Sequence, residues 1–385
     1  MTDRRKFFAA YFIYTRMRKI LYTAVLFFFS LFVFSMPVAA QENANTAETL
    51  EAVITKIVEE KEIVVMEKQQ TYQKMELLVT KGSLRDTTIV IENGTLPMAN
   101  DQRYVVGDAV MVHFEKNSLG NDQFYISDFM RREPLRSLFI VFIVVTLVVA
   151  KFRGLTSLLG MGLSFVVIFA YVLPRILAGA PPVRVAIIGS MIIIPISFLL
   201  SHGVNKKTIV AMIGTACSLG ITGFLASTFV ASAKLTGFAS EESSFIQLAS
   251  QGTLNMKGLL LAGIIIGVLG VLDDITISQS AIVFQLKEVN KKMRFKELYR
   301  RAMTVGQDHI ASMVNTLVLV YTGASLPLLL LFVHSPHPFT EIVNYEIIAD
   351  EIIRTLVGSI GLVLAVPITT LIAASVASVD LDETA

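Results

Sequence analysis

Two adjacent aspartates, Asp273 and Asp274, lie within the apolar run GVLGVLDDITISQSA, residues 267–281. An ionised aspartate at the centre of a bilayer costs roughly 2.5–3.5 kcal/mol on insertion scales, and partners in the folded protein have to offset that cost. A carboxylate held at membrane depth can carry a proton or bind a cation. Two interpretations follow. The pair lines a path for an ion or solute, or it caps a broken helix or forms a salt bridge with a neighbour.

The helix that carries this pair is predicted to present a polar face made of small residues. Consecutive helical residues point about 100° apart, so Asp273 and Asp274 do not share one direction. Ser278 and Gln279 lie four and five residues after Asp274 and are further candidate path residues. Small residues allow two helices to approach closely. This predicts that another helix packs against the glycines of this face, Gly263, Gly267 and Gly270.

The next apolar segment carries polar residues along one stripe. Asp308, Ser312 and Asn315 recur at helical spacing, and His309 lies beside them. This pattern predicts a face directed into the helix bundle. For Asp308 and Asn315 a substrate path and polar contacts between helices are both open. For His309 the alternative to the path is a hydrogen bond at the membrane interface.

The last apolar segment contributes Arg354, which requires an acidic partner at membrane depth. Asp350 and Glu351 stand four and three residues before it on the same helix, so either can form an intrahelical ion pair. The alternative is an ion pair across helices with the aspartate pair of the earlier segment. Two further glycines predict a second close-packing face, Gly358 and Gly361.

Several chemistries have no support in the sequence. Cys217 is the single cysteine and lies in an apolar run, so no disulfide framework or thiolate metal site is expected. No catalytic motif, zinc motif or phosphate-binding loop appears. We therefore expect no catalytic residue, no metal and no cofactor. The net charge of +2 without a basic face argues against nucleic-acid binding.

The composition predicts an α-helical protein that crosses a membrane several times. Of the 385 residues, 54% are hydrophobic, well above the usual share in soluble proteins. Several apolar runs approach the roughly 20 residues that a membrane-spanning helix needs. Seven such segments are predicted, near residues 137–150, 155–178, 183–201, 208–231, 257–286, 307–333 and 352–376.

The distribution of basic residues predicts the orientation of these spans. The stretches 151–153, 205–207 and 287–301 are basic and follow odd-numbered spans. Because short cytoplasmic loops are enriched in Lys and Arg, these loops and the C-terminus are predicted to be cytoplasmic.

The N-terminal third differs from the rest of the chain. Residues 1–40 combine a basic start, an apolar core and a small-residue end, which predicts a signal peptide or an uncleaved anchor. Residues 41–130 are polar and contain five short runs with alternating hydrophobicity, which predicts a small exported β domain with a barrel-like fold. Residues 131–385 then form the membrane domain.

Three blocks of the membrane domain resemble the bacterial YibE/F family. They read GVLGVLDDITISQSAIVFQLKE, GQDHIASMVNTLVLVYTGASLPLLLLF and EIIRTLVGSIGLVLAVPITTLIAA. Their order and spacing agree with the family over about residues 130–385. The resemblance implies a multi-spanning protein of the bacterial cytoplasmic membrane, and it transfers no substrate or catalytic residue.

We predict a transporter or channel-like protein that moves an ion or small solute, because three successive spans bring ionisable groups to membrane depth. Its partners would then be the lipid bilayer, the transported species and either a second copy or another membrane protein. The alternative is an assembly or sensor protein whose exported β domain binds a partner. A membrane enzyme is the least supported of these classes.

Overall fold

The computed structural model describes residues 48–97, 102–117 and 121–379. The predicted signal peptide or anchor, residues 1–40, lies outside the described residues, as does the C-terminal tail, residues 380–385. The chain divides into two compact units, the first ending at Val144 and the second beginning at Val145.

The described part of the first unit contains one antiparallel sheet with the strand order β3-β2-β1-β4-β5. The five predicted strands are confirmed, and two of them are longer than expected. The strands are β1 Glu48–Val65, β2 Lys68–Lys81, β3 Thr88–Asn93, β4 Ala109–Lys116 and β5 Asp122–Phe129. The sheet is a half-barrel, since β3 and β5 form its two edges and no ladder between them closes it.

Alternation of apolar and polar residues places the core on one side of this sheet, because successive side chains of a strand point to opposite faces. Most of the core side chains come from the three central strands: Leu50, Ala52, Ile54, Met75, Leu77, Val79, Val110 and Val112. One polar side chain lies among them. The Gln73 amide is buried, accepts from Tyr104 N at 2.8 Å and donates to Tyr104 O at 2.9 Å. This reciprocal pair fixes the segment before β4 to β2 without an unpaired buried group.

The rest of the described chain is helical. The helices are α1 Arg132–Val167, α2 Leu173–Leu177, α3 Pro182–His202, α4 Lys206–Ser232, α5 Glu241–Ala249, α6 Met256–Val289, α7 Phe295–Ala324, α8 Leu326–His334, α9 Phe339–Ile342 and α10 Glu346–Val379. A π-helical turn, Ile168–Val172, joins α1 to α2. The boundary between the two compact units falls inside α1.

Among the described residues, five helical segments are long and apolar enough to cross a membrane. They are Arg132–Leu177, Pro182–His202, Lys206–Ser232, Met256–Val289 and Glu346–Val379. The pair α7 and α8, bent by 71°, makes a sixth if it counts as one span. These helices indicate an integral membrane protein that crosses the membrane several times.

The predicted number of seven spans is not confirmed. The first two predicted segments form one helical stretch of 46 residues, Arg132–Leu177. The basic residues between them, read from the sequence as a loop, are built into that stretch. The stretch is interrupted at Lys151, whose backbone has φ 52° and ψ −130°. A side chain at Gly154 would collide with the carbonyl of Thr146, so the chain turns sharply here.

The centre of the second unit is formed by α4, α6 and α10, which pack against one another. Hydroxyl groups cross these contacts: Thr215 of α4 and Thr276 of α6 share a hydrogen bond of 2.7 Å between their Oγ1 atoms. Gly361 lies so close to α4 that an added Cβ would collide with Thr222 Oγ1. Gly358 is also buried at a helix contact, where an added Cβ would meet a side-chain atom of Val268 at 3.4 Å.

The other predicted glycine face is not a helix contact within the described chain. The three glycines of α6 are exposed, and an added Cβ would meet nothing within 4 Å: Gly263, Gly267 and Gly270. The reason is that α6 meets α4 and α10 through its larger apolar residues and its hydroxyls. Its glycine face is therefore left open.

The two glycine environments predict opposite results for Gly361→Ala and Gly267→Ala. The first substitution forces a methyl group into Thr222 and should lower the free energy of unfolding by about 1–3 kcal/mol. The second adds a methyl group in open space and should be neutral or stabilise the helix by up to about 1 kcal/mol. Thermal denaturation of the purified protein in detergent, followed by gel filtration, measures both. Equal losses in the two variants would contradict the packing described here.

Candidate functional site

A cavity of about 740 Å³ lies in the second unit between α1, α3 and α6, with one contribution from α4. Its size falls within the range of sites that hold small molecules. The middle of α6 forms one wall, and its open glycine face reaches the cavity at Gly270. The opposite walls come from α1, on both sides of the break at Lys151, and from the last turns of α3.

Asp273 and Asp274 both line this cavity. Asp273 is half-buried beside the Ser197 hydroxyl of α3, and one of its carboxylate oxygens is enclosed without a hydrogen-bond partner among the described residues. Asp274 is exposed. A buried polar atom without a partner is unusual in a folded protein, so this oxygen is a candidate to hold a proton or a cation.

Three cationic or titratable side chains face the same cavity: Arg153 of α1, His202 at the end of α3 and Lys207 at the start of α4. The His202 imidazole lies within electrostatic range of the other two and of Asp274. Within the described ranges, neither Arg153 nor Lys207 forms an ion pair with either aspartate. Both signs of charge therefore face one space without neutralising each other by direct contact.

The remaining polar lining consists of hydroxyl groups. Ser197 and Ser201 are one helical turn apart on α3, and Ser157 and Ser164 are two turns apart on α1, so each pair shares a face. Hydroxyls can donate or accept a hydrogen bond. They can therefore solvate either sign of charge between the acidic and the basic groups.

A second cavity, of about 320 Å³, shares Ile168 and Ile266 with the first as lining residues. It contains Gly263 of the open glycine face and the ion pair of α10, in which Arg354 Nη2 lies 3.1 Å from Asp350 Oδ2. Both cavities thus border the same face of α6, one toward each end of the helix. The π-helical turn that begins at Ile168 lies at the point where they meet.

The Arg354 ion pair settles one choice left open by the sequence. The partner is Asp350, four residues earlier on the same helix. The aspartate pair of α6 is not the partner, since Arg354 lines the second cavity and Asp273 and Asp274 line the first.

Two other candidate path residues do not face either cavity. Gln279 is completely buried and connects three helices: its Nε2 donates to Ala302 O of α7 at 3.0 Å and to Thr370 Oγ1 of α10 at 2.7 Å. Ser278 is half-buried on α6 and lines neither cavity. Gln279 is therefore a structural contact.

The polar stripe of α7 is oriented opposite to the prediction. Asp308, Ser312 and Asn315 are exposed, and His309 beside them is half-buried. The face that packs on the bundle carries small and apolar residues instead, among them Ala302, Gly306 and Leu317. Gly306 fits against Gln279 and Val366 with no room for a Cβ, which explains why this face is the inner one.

Sequence reasoning missed most of the cavity. By sequence, Arg153 and Lys207 indicate only the orientation of the spans, and no motif points to His202 or Ser197. The spacing of Ser197 and Ser201 in IPISFLLSH is a signal that could have identified the α3 wall. No pattern in the sequence alone shows that this wall faces Asp273.

A family model of YibE/F-like proteins matches residues 138–379, which include every residue that lines the two cavities. The chain belongs to the YibE/F-like family. The resemblance found in the three sequence blocks is thereby confirmed. Comparisons with curated proteins and with solved structures found no match. In this YibE/F-like chain the β domain lies outside the matched residues.

The contacts of Gln279 and Ser278 predict different effects of neighbouring substitutions. Gln279→Met keeps the side-chain volume but removes two hydrogen bonds in the core, so the free energy of unfolding should fall by about 1–2 kcal/mol. Ser278→Ala should change it by less than about 0.5 kcal/mol. Thermal denaturation in detergent measures both values. A Gln279→Met protein as stable as the Ser278→Ala control would show that the amide has no structural role.

Proposed function

We propose that this protein moves an ion or a small solute across the membrane through the cavity lined by Asp273 and Asp274. The observation that carries the proposal is that two carboxylates and two cations, Arg153 and Lys207, line one cavity between membrane-spanning helices, with no ion pair between them among the described residues. Ionisable groups at such a position are expensive and are usually tied to transport.

The arrangement of the charges supports a directional site. Ser280 Oγ donates to Lys207 O at 2.8 Å, so Lys207 lies level with a residue seven positions beyond Asp273 on α6. Seven helical residues correspond to about 10 Å along the axis. The acidic groups thus lie deeper in the helix bundle, and the basic groups lie near the helix ends that the sequence analysis assigns to the cytoplasmic side.

Asp273 is the group best placed to act on a transported species. Its enclosed oxygen has no hydrogen-bond partner in the described part of the chain, whereas Ser197 lies beside the carboxylate. A proton or a cation at this oxygen would remove the cost of an unpaired buried acceptor. Asp274 is more exposed and would meet the species first, from the cavity side.

The ionisable groups of three spans do not converge on one path as predicted. Arg354 lines the second cavity, and Asp308 and Asn315 of α7 are exposed. One cavity, with carboxylates from α6 and basic residues from α1 and α4, supports the proposal instead.

Removing the carboxylates tests the proposal. The double variant Asp273→Asn, Asp274→Asn in proteoliposomes should reduce flux by about tenfold or more, which corresponds to roughly 1.4 kcal/mol of lost stabilisation along the path. Flux is measured for protons with an enclosed pH-sensitive dye and for Na⁺, K⁺ and Mg²⁺ with ion-sensitive dyes. Glu288→Gln removes an exposed acid at the end of the same helix and should leave flux unchanged.

Unchanged flux in a correctly folded double variant would exclude this cavity as the path.

The alternative function, an assembly or sensor protein, is addressed by deleting residues 41–130. The described β domain has its own core, so its deletion should leave flux intact if the membrane domain acts alone. The alternative is favoured by two results together. The aspartate variants leave flux unchanged, and the deletion abolishes function completely.

A further inference from the structure

The exposed face of α7 carries a polar stripe that the proposed path does not use. The stripe comprises Thr304, Asp308, Ser312, Asn315 and Thr322, all exposed and spaced by three, four or seven residues, so they follow one side of the helix. The apolar residues between them include Val318, Leu319 and Val320, which are 40%, 60% and 61% exposed. We refer to these five residues as the α7 stripe.

The inner face of α7 is already occupied, so rotation of the helix cannot bury the stripe. Tyr321 lies near Gly358 of α10, and Gly306 lies against Gln279 of α6. Because these contacts hold one face of α7 against the bundle, the opposite face, which carries the stripe, points away from it. Within the described residues, Asp308 and Asn315 form no hydrogen bond with another helix.

A polar stripe of this kind is unsuited to lipid. Counted together with α8 as the sixth span, α7 places these groups in hydrocarbon, which offers no hydrogen bonds. Side-chain amides and carboxylates of spanning helices therefore pair with polar groups of neighbouring helices. Asn315 lies seven residues, or about 10 Å, farther along α7 than Asp308, toward the apolar half of the helix. It is therefore the residue of the stripe for which exposure to lipid is least favourable.

We propose that the α7 stripe is the interface between two copies of this chain, related by a two-fold axis along the membrane normal. Such an axis brings residues of equal depth together. Asn315 suits this arrangement, since an amide both donates and accepts and can pair with its own copy. Asp308 of each copy then lies opposite its counterpart, and a protonated carboxyl group of one copy can donate a hydrogen bond to the carboxylate of the other.

Small residues along the same side allow the two helices to approach. Ala311 and Gly323 are exposed, and an added Cβ on Gly323 would meet nothing within 4 Å. Close approach is what hydrogen bonds between spanning helices require. The stripe thus combines hydrogen-bonding groups with space for a second helix.

A second copy fits this surface better than the N-terminal apolar segment of the same chain. That segment, ILYTAVLFFFSLFVF at residues 20–34, offers three hydroxyl groups and no amide or cation. Its hydroxyl groups can donate to a carboxylate, but it offers no amide for a reciprocal pair with Asn315. Another copy presents the same groups at the same depth.

Cysteine cross-linking in proteoliposomes of the purified full chain tests the interface. Cys217 is exposed and is first replaced by Ala, so that each variant carries a single cysteine. Cysteines at 308, 312, 315 and 319 should give disulfide-linked dimers on mild oxidation. The control variants Leu317→Cys, on the inner face of α7, and Thr228→Cys, on the exposed side of α4, should not give linked dimers.

A matched substitution measures the energetic role of the amide. Asn315→Leu should weaken dimerisation in the bilayer by about 3- to 30-fold, the range expected for one polar contact between spanning helices. Thr228→Val, which removes an exposed polar group elsewhere, should not change it. Fluorescence energy transfer between labelled copies at varied protein-to-lipid ratios gives both values.

Three outcomes would overturn the proposal. The first is a protein that stays monomeric at every protein-to-lipid ratio. The second is a set of cross-linking positions without the three-to-four-residue spacing of one helix face. The third is a cross-link at Thr228 as strong as those on the stripe. If removal of residues 1–40 is what makes the stripe cross-link, the N-terminal segment is its occupant instead. These readouts do not involve flux, so they stand or fall independently of the proposed transport function.

Discussion

The close contact among α4, α6 and α10 is the constraint on which the membrane unit depends. It combines the Thr215–Thr276 hydrogen bond with the approach of Gly361 to Thr222. Helices in lipid gain little from burying apolar surface against one another, so small residues and hydroxyls have to supply the contact. Because these groups fix the rotation of α6, they also determine that its glycines and aspartates point away from the contact and toward the cavities.

The two sides of α6 therefore have separate roles. One side carries Thr276 and Gln279, which connect the helix to its neighbours. The other borders both cavities, with Gly263 near the Asp350–Arg354 ion pair and Asp273 near Ser197. A substitution on α6 should thus affect either the stability of the bundle or the cavities, according to the side on which it lies.

Local pattern explains how much of the fold could be predicted. The five strands were identified because alternation along a strand reports which side is buried, and the apolar helices because their composition suits lipid. The predicted number of seven spans is not confirmed, because the basic residues Lys151 and Arg153 indicate a loop by composition. Their backbone instead continues the helical stretch through a single strained residue, which composition does not reveal.

The sequence by itself determined that this chain is a multi-spanning membrane protein of the YibE/F-like family with an N-terminal β domain, since composition, periodicity and local motifs are properties of the chain. It also identified Asp273 and Asp274 as unusual. Only the tertiary structure decided which groups face them. A helix presents several faces, and residues distant in sequence select among them through packing. Thus Gly306 and Gln279 turned the α7 stripe outward, and the ends of α1, α3 and α4 brought Arg153, His202 and Lys207 to the carboxylates.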